Sequence, residues 1–166
     1  MIIETLKCKN FKCYAEFDLD FTKSDVWSII GKTKSNLNRS NGTGKSTIFS
    51  AIEYVLFDHH NCKTTDEIVR FEQIIATVES LFSTENGRFK VERGRNSKTS
   101  KSDLKLWKFE GETLISLTQK TNSETEKELQ KILGTILVAS LFSIILILRQ
   151  CLPNLWFNRV KSIALN

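Results

Sequence analysis

The chain has 166 residues, a formal net charge of +5 and a pI near 9.0. Apolar residues make up 40% and charged residues 26%, which is typical of a globular protein and excludes a disordered one. This length favours one domain, and the basic charge favours acidic partners such as nucleotides, nucleic acid or an anionic membrane.

The first thirty residues predict three strands, and a helix follows further along. The segments "IIETLKCKNF" and "YAEFDLDF" alternate, with Phe17, Leu19 and Phe21 on one face of the second. "VWSII", residues 26–30, reads as a buried strand that ends at Gly31. After Lys45, apolar residues recur at the spacing of a helix face: Ile48, Phe49, Ile52, Val55 and Leu56.

The segment "GKTKSNLNRSNGTGKST", residues 31–47, lies between that third strand and the helix. Its second half matches the end of a phosphate-binding loop, in which small residues let backbone N–H groups turn towards the phosphates. Gly42 and Gly44 give the backbone freedom, and Lys45 would reach the β- and γ-phosphates. The Ser46 hydroxyl would ligate Mg²⁺, and Thr47 would lie near the α-phosphate. The alternative is a solvated turn that caps an ordinary helix.

The full pattern requires a glycine five positions before Gly44, where this chain has Arg39. Gly31 supplies that glycine instead, and residues 32–40 separate it from Asn41. The short form G-x-N-G-x-G-K-S/T has a single residue there, so the loop contains an insert. Closing the longer loop costs only roughly 2 kcal/mol. Three roles stay open for the insert: it folds over the nucleotide, it contacts nucleic acid, or it is a disordered surface loop.

The middle of the chain predicts β-hairpins and a second helix. Alternating segments flank the turn at Glu85-Asn86-Gly87, because Asn-Gly is a strong hairpin signal, and another pair of strands meets near Glu110-Gly111. Residues 58–70 read as irregular. Ser123 and Glu126 have capping-box spacing at the start of "SETEKELQKIL", which predicts a helix.

Residues 87–108 contain eight Lys or Arg and two acids, a net charge of +6. A basic stripe of this kind is typical of a surface that follows a phosphate backbone. The candidate DNA-binding residues are Arg88, Lys90, Arg93, Arg95, Lys98 and Lys101. The alternative is a solvated hairpin with a flexible tip.

The sequence gives little support to a zinc site, a disulfide or a membrane span. The cysteines, Cys8, Cys13, Cys62 and Cys151, form no CxxC pair, which predicts reduced thiols in a cytoplasmic protein. The pair His59-His60 lacks further ligands at zinc spacing. Residues 132–148 form an uncharged run that we interpret as a buried helix and strand, with a membrane span as the alternative.

Three segments, "IETLKCKNFKCYAEFDLDF", "WSIIG" and "NGTGKSTIFSAIEYVLF", together resemble the N-terminal lobe of the SMC-like DNA-repair ATPases. That family includes the SbcC-type double-strand-break repair proteins and the related phage recombination endonuclease subunits. The resemblance implies an α/β P-loop NTPase of ABC/SMC type, N-terminal half only. Residues 1–150 would form the ATPase lobe, and residues 151–166 a divergent or truncated tail.

The resemblance also implies functional roles. Phosphate would be held by Gly31, Asn41, Gly42, Thr43, Gly44, Lys45, Ser46 and Thr47. Lys12 would lie near the nucleotide, and Gln150 would join Ser46 around Mg²⁺. The implied partners are a second copy bound through ATP, an SbcD-type nuclease subunit and DNA.

Features of the family's C-terminal lobe are not visible in this sequence. These are the signature loop, the Walker B carboxylates, the switch histidine and a coiled coil. We therefore expect a fragment, a truncated or frameshifted reading frame, or one part of a split protein. Alone it would hydrolyse little ATP until a C-terminal lobe, on the same or a separate chain, completes the site. The alternatives are a non-catalytic nucleotide- or DNA-binding remnant and a small membrane-anchored protein that uses residues 132–148.

Overall fold

The computed structural model describes residues 1–23, 27–31, 44–134 and 161–165. A short 3₁₀ turn, Thr65–Ile68, lies between the first helix and the fourth strand. The helices and strands in chain order are β1 Ile2–Phe11, β2 Tyr14–Asp20, β3 Trp27–Gly31, α1 Lys45–Phe57, β4 Ile75–Thr84, β5 Gly87–Asn96, β6 Lys101–Glu110, β7 Thr113–Ser116, α2 Asn122–Leu133 and β8 Lys161–Leu165.

Six strands form an antiparallel sheet in the order β2-β1-β4-β5-β6-β7. Strands β4 and β5 pair from Ile75 opposite Asn96 to Thr84 opposite Gly87, which leaves Glu85 and Asn86 as a two-residue turn. Gly87 has a φ of 128°, a conformation that glycine adopts without a steric penalty. The hairpin predicted from Asn-Gly is confirmed.

Apolar side chains on one face of this sheet pack against both helices and form the core. The sheet contributes alternate residues, as the period of a strand requires. Those of β4, β5 and β6 are Ala76, Val78, Phe82, Phe89, Val91, Leu104 and Leu106. Helix α1 buries Ile48, Ala51, Tyr54, Val55 and Leu56. Phe49, which we expected in the apolar stripe of α1, is instead 38% exposed.

A second, two-stranded sheet is formed by β3 and β8, which run parallel from Trp27 opposite Lys161 to Gly31 opposite Leu165. The sequence did not predict β8, because "KSIAL" is short and lacks alternation. The strand that delivers the chain to the phosphate-binding loop therefore has a neighbour from residues 151–166. That segment had been expected to form only a divergent tail.

Helix α2 begins two residues earlier than the sequence predicted. Thr121 is the N-cap, and its side chain accepts a hydrogen bond from the Glu124 backbone N–H at 3.2 Å. The proposed capping box of Ser123 and Glu126 is therefore wrong. Thr121 and Glu124 have the same spacing, and the Glu126 carboxylate binds Arg93 instead.

Several predictions concern segments outside the described residues. These are the insert 32–40, the loop residues Asn41, Gly42 and Thr43, most of the apolar run 132–148, and Gln150. Among the residues that the structure does describe, no helix is long and apolar enough to cross a membrane.

Candidate nucleotide-binding site

The predicted strand before the glycine-rich segment and the predicted helix after it are both present. Strand β3 ends at Gly31, and α1 begins at Lys45, the lysine of the phosphate-binding motif. Gly44 is the N-cap, with φ 79° and ψ 9°, which is the left-handed conformation that disfavours side chains. The Thr47 N–H donates to the Gly44 carbonyl at 2.8 Å, so the first turn of α1 starts directly at this glycine.

The N-terminus of α1 has the features of an anion-binding site. Its N-cap, Gly44, has no side chain to cap the helix, and no acidic residue lies in the first turn. Helix α2, by contrast, is capped by Thr121 and has Glu124 in its first turn. The N-terminal end of a helix carries partial positive charge and unpaired N–H groups. A phosphate group is the kind of ligand that such a helix end favours.

The turn between β1 and β2 contacts this helix end. The Cys13 Sγ lies 3.4 Å from the Thr47 Oγ1. A Cβ built on Gly44 would lie 2.8 Å from the Cys13 Sγ and 2.8 Å from the Tyr14 hydroxyl oxygen. Lys12 precedes these two contacting residues in the same turn. The Lys12 ammonium lies 5.8 Å from the Phe11 ring centroid, and its place near the nucleotide stays a prediction.

Backbone hydrogen bonds hold this turn against the 3₁₀ segment. The Lys12 N–H donates to the Ile68 carbonyl at 2.7 Å, and the Arg70 N–H donates to the Asn10 carbonyl at 2.8 Å. Both Asn10 and Lys12 have positive φ, 53° and 50°. Such backbone angles persist in non-glycine residues where the surrounding structure enforces them. The turn therefore has a defined position beside α1.

The sequence did not identify Cys13 and Tyr14 as residues of the site, although both belong to the quoted segment "KNFKCY". Burial raises the pKa of Tyr14 to about 12, with smaller contributions from the charges of Cys13 and Cys8. Tyr14 therefore presents a neutral hydroxyl near the phosphate-loop residues at physiological pH.

Comparison with known proteins decides the family. Residues 5–161 match a family model described as an AAA domain. The chain belongs to the AAA domain family. The AAA domain is also similar to two proteins described as DNA double-strand break repair Rad50 ATPase. It is 25% identical over 144 residues to the one from Thermoplasma volcanium and 29% identical over 138 residues to the one from Methanococcus maripaludis.

These matches cover 86% and 82% of this chain but only 15% and 12% of the relatives, so the AAA domain spans a small part of their length. A solved structure of the recombination mediator protein RecF with ATP, in the RecFOR pathway, superposes with a TM-score of 0.55. The identity is 18%, and the match covers 73% of this chain and 29% of RecF. The predicted fold, the N-terminal part of an ABC/SMC-type ATPase, is confirmed, as is the resemblance to SMC/Rad50-like ATPases.

The predicted basic stripe of the AAA domain is largely paired with acids. Arg88 contacts Glu4 at 2.6 Å, and Lys90 contacts Glu79 at 2.8 Å. The same two cations lie over the aromatic rings of Phe109 and Trp107, at 4.8 and 5.3 Å from the ring centroids. The Arg95 Nε donates to the Asp66 carboxylate at 2.8 Å. The net charge of the segment therefore overstates its positive potential.

Arg93 lies in the interior of the AAA domain, where it is 3% exposed. It is in phase with Phe89 and Val91 on the core face of β5. Its guanidinium contacts Glu126 at 2.6 Å and Asp58 at 3.5 Å. DNA cannot reach this side chain in the folded domain, so Arg93 is removed from the set of DNA-binding candidates.

Lys98 and Lys101 lie at the exposed turn between β5 and β6. Within the part of the chain that the structure describes, neither ammonium forms an ion pair. The turn is nevertheless well defined, because the Asn96 side-chain oxygen accepts from the Lys98 and Thr99 N–H groups at 3.0 and 3.1 Å. The Ser100 hydroxyl donates to Asp66 at 2.9 Å. The alternative of a flexible tip finds no support in these contacts.

Proposed function

We propose that this AAA domain is the ATP-binding lobe of a DNA repair or recombination ATPase of the SMC/Rad50-like type. One observation carries the proposal: the turn between β1 and β2 and the N-terminus of α1 meet at Gly44, directly before Lys45. A strand, a loop and a helix in this order support binding of a nucleoside triphosphate.

ATP with Mg²⁺ is the ligand that these residues fit best. The Lys45 ammonium would bind the β- and γ-phosphates, and the exposed Ser46 would offer its hydroxyl to Mg²⁺, which neutralises phosphate charge. The Thr47 N–H already donates to the Gly44 carbonyl, so the Thr47 hydroxyl is the group that would approach the α-phosphate. Lys12 would add positive charge from the neighbouring turn. The remaining proposed phosphate contacts are Gly31, Asn41, Gly42, Thr43 and Gly44.

Hydrolysis, in this proposal, requires a second lobe. Phosphoryl transfer needs a positioned water and neutralisation of the charge that develops on the γ-phosphate. We propose that a C-terminal signature lobe, on the same or a separate chain, supplies these groups, and that Gln150 joins Ser46 around the metal. Two copies would assemble through ATP and act with an SbcD-type nuclease subunit.

DNA is the second proposed ligand, and the exposed turn between β5 and β6 is where we propose that it binds. Lys98 and Lys101 are exposed and unpaired among the described residues, whereas Arg88, Lys90 and Arg95 are engaged with acids. Unpaired lysines can replace the counterions of a phosphate backbone. Arg88, Lys90 and Arg95 would contribute only where DNA displaces their present partners.

Calorimetric titration with ATP and Mg²⁺ tests the nucleotide proposal. Lys45→Ala should abolish binding, because it removes the cation next to the phosphates. Lys127→Ala, an exposed lysine on α2, is the matched control and should bind as the unmodified chain does. Binding that is unchanged in Lys45→Ala, or absent from the unmodified chain, would contradict the proposal.

Two further measurements separate the alternatives. Hydrolysis that appears when the C-terminal lobe of the relatives is added separates an ATPase lobe from a non-catalytic remnant. Partition into phosphatidylcholine vesicles that is unaffected by Lys45→Ala would favour the membrane-anchored alternative.

A further inference from the structure

The turn between β1 and β2 fills the space beside Gly44 where a side chain would begin. A Cβ there would lie 2.8 Å from the Tyr14 hydroxyl oxygen and 3.0 Å from its Cζ. Real Cβ atoms essentially never make contacts under 3.0 Å, so a side chain at position 44 would require these neighbours to shift. The hydroxyl end of Tyr14 therefore occupies the space beside Gly44, the residue that immediately precedes Lys45.

Tyr14 is itself held in place. Its ring packs edge-on against Phe17, with centroids 5.2 Å apart, and it lies beside the hydrophobic core. The preceding turn is hydrogen-bonded to Ile68 through the Lys12 N–H. A side chain fixed from two sides can act as a wall for the element that it contacts.

We propose that Tyr14 is a positioning residue of the nucleotide site. Its ring limits Gly44 to the left-handed conformation that begins α1, and this conformation sets the direction in which Lys45 and Ser46 are presented to ATP. Cys13 supports the same helix turn from its contact with Thr47. The inference rests on the proposed ATP binding but makes a separate claim about the backbone of the ligand-free chain.

The chemistry of Tyr14 suits this position. Because burial raises the pKa of its hydroxyl to about 12, the side chain carries no negative charge next to the proposed phosphate position. A carboxylate of similar reach would repel the ligand, whereas a neutral phenol does not. The wall can therefore be close to the phosphates without opposing their binding.

Two substitutions distinguish the role of the Tyr14 ring from that of its hydroxyl group. Tyr14→Leu replaces the aromatic ring with a shorter aliphatic side chain, and Tyr14→Phe keeps the ring but removes the hydroxyl oxygen. We expect Tyr14→Leu to weaken ATP binding about tenfold or more. The affinity of Tyr14→Phe should stay within about threefold of that of the unmodified chain. Ala15→Ser is the matched control, because Ala15 is exposed and adjoins Tyr14 in β2.

Amide NMR signals of the ligand-free chain provide the second measurement. In Tyr14→Leu the signals of Gly44 and Ser46 should shift, while those of α2 stay in place. If Tyr14→Leu does not fold, Cys13→Val, which adds a methyl group beside Thr47, should shift the same signals. Unmoved Gly44 and Ser46 signals in the folded variants would overturn the inference. An unmodified chain that binds no ATP would contradict the proposed function, whereas the ligand-free signals would still decide the role of Tyr14.

Discussion

The Arg93 guanidinium lies 2.6 Å from the Glu126 carboxylate and joins β5 to α2 inside the domain. The same guanidinium donates to the Val55 carbonyl near the end of α1, at 3.4 Å, and lies 5.8 Å from the Tyr54 ring centroid. A cation is favourable next to the carbonyl end of a helix, and a buried guanidinium requires such partners. One side chain thus ties both helices to one strand.

Removing one partner of this pair should be strongly destabilising. We expect Glu126→Leu to lower the free energy of unfolding by about 3 kcal/mol, because it leaves the Arg93 charge poorly compensated. The double variant Arg93→Met with Glu126→Leu should be less destabilised than either single variant, since it leaves no buried charge. Urea unfolding of the four proteins measures this cycle, and additive single effects would contradict the coupling.

The interior position of Arg93 could have been read from the sequence in part. Phe89, Val91 and Arg93 follow each other at the period of a strand, so Arg93 is in phase with the core. The net charge of residues 87–108 did not reveal that Arg93 faces the core, because a charge count treats every basic residue of the hairpin equally. The partner Glu126 could not be predicted, since it is 33 residues away and meets β5 only through the packing of α2.

The corrected start of α2 gives a second prediction. Thr121→Ala removes the side chain that accepts from the Glu124 N–H and should lower the free energy of unfolding by about 1 kcal/mol. Ser123→Ala, at the cap that the sequence suggested, should leave it nearly unchanged. Denaturant titration of both variants decides between the caps, and a larger loss for Ser123→Ala would contradict the observed helix start.

The two caps show why local spacing was insufficient. Thr121 with Glu124 and Ser123 with Glu126 both satisfy the capping-box pattern. Tertiary structure selects the first pair, because Glu126 is committed to Arg93. The helix α1 and the hairpin of β4 and β5, by contrast, were predicted correctly, since both depend on neighbouring residues in the sequence.

Gly44→Ala should impair folding and nucleotide binding together. The substitution places a Cβ 2.8 Å from two side chains, at a φ of 79°. Gly111→Ala is the matched control, because Gly111 has a φ of 62° but nothing within 4 Å of the added carbon. Both variants lose about 1–2 kcal/mol from the left-handed backbone. Only Gly44→Ala should lose stability beyond this amount and weaken ATP binding. Thermal unfolding and calorimetry measure the two effects. Equal losses of stability in the two variants would contradict the close contact at Gly44.

The contact between Gly44 and Tyr14 explains what sequence reasoning missed at this site. The motif predicted the loop residues from their spacing, but Tyr14 reaches Gly44 only because the turn between β1 and β2 packs against α1. Strand β8 was missed for a similar reason, since its pairing with β3 joins residues far apart in the chain.

Asp66 should make the turn between β5 and β6 sensitive to acid. Hydrogen bonds from Arg95 and then from Ser100 hold the pKa of the Asp66 carboxyl below its usual value. The stabilising contacts are therefore complete above the usual pKa of about 4 and are lost as the pH falls through the lower folded value. The protection of the Lys98 and Thr99 amides against hydrogen exchange, relative to their intrinsic rates at the same pH, should fall in that range. The same loss of protection is expected in Asp66→Asn near neutral pH. Exchange in Asp66→Asn that matches the unmodified chain would contradict this role.

Binding of DNA should depend on Lys98 and Lys101 more than on overall charge. Replacing both with alanine should weaken binding to double-stranded DNA and reduce the slope of log affinity against log salt by about 1 per lysine. Lys127→Ala with Lys131→Ala removes the same charge from exposed positions on α2 and is the matched control. Equal losses in the two double variants would show that net charge alone attracts DNA, because only a local contact depends on which lysines are removed.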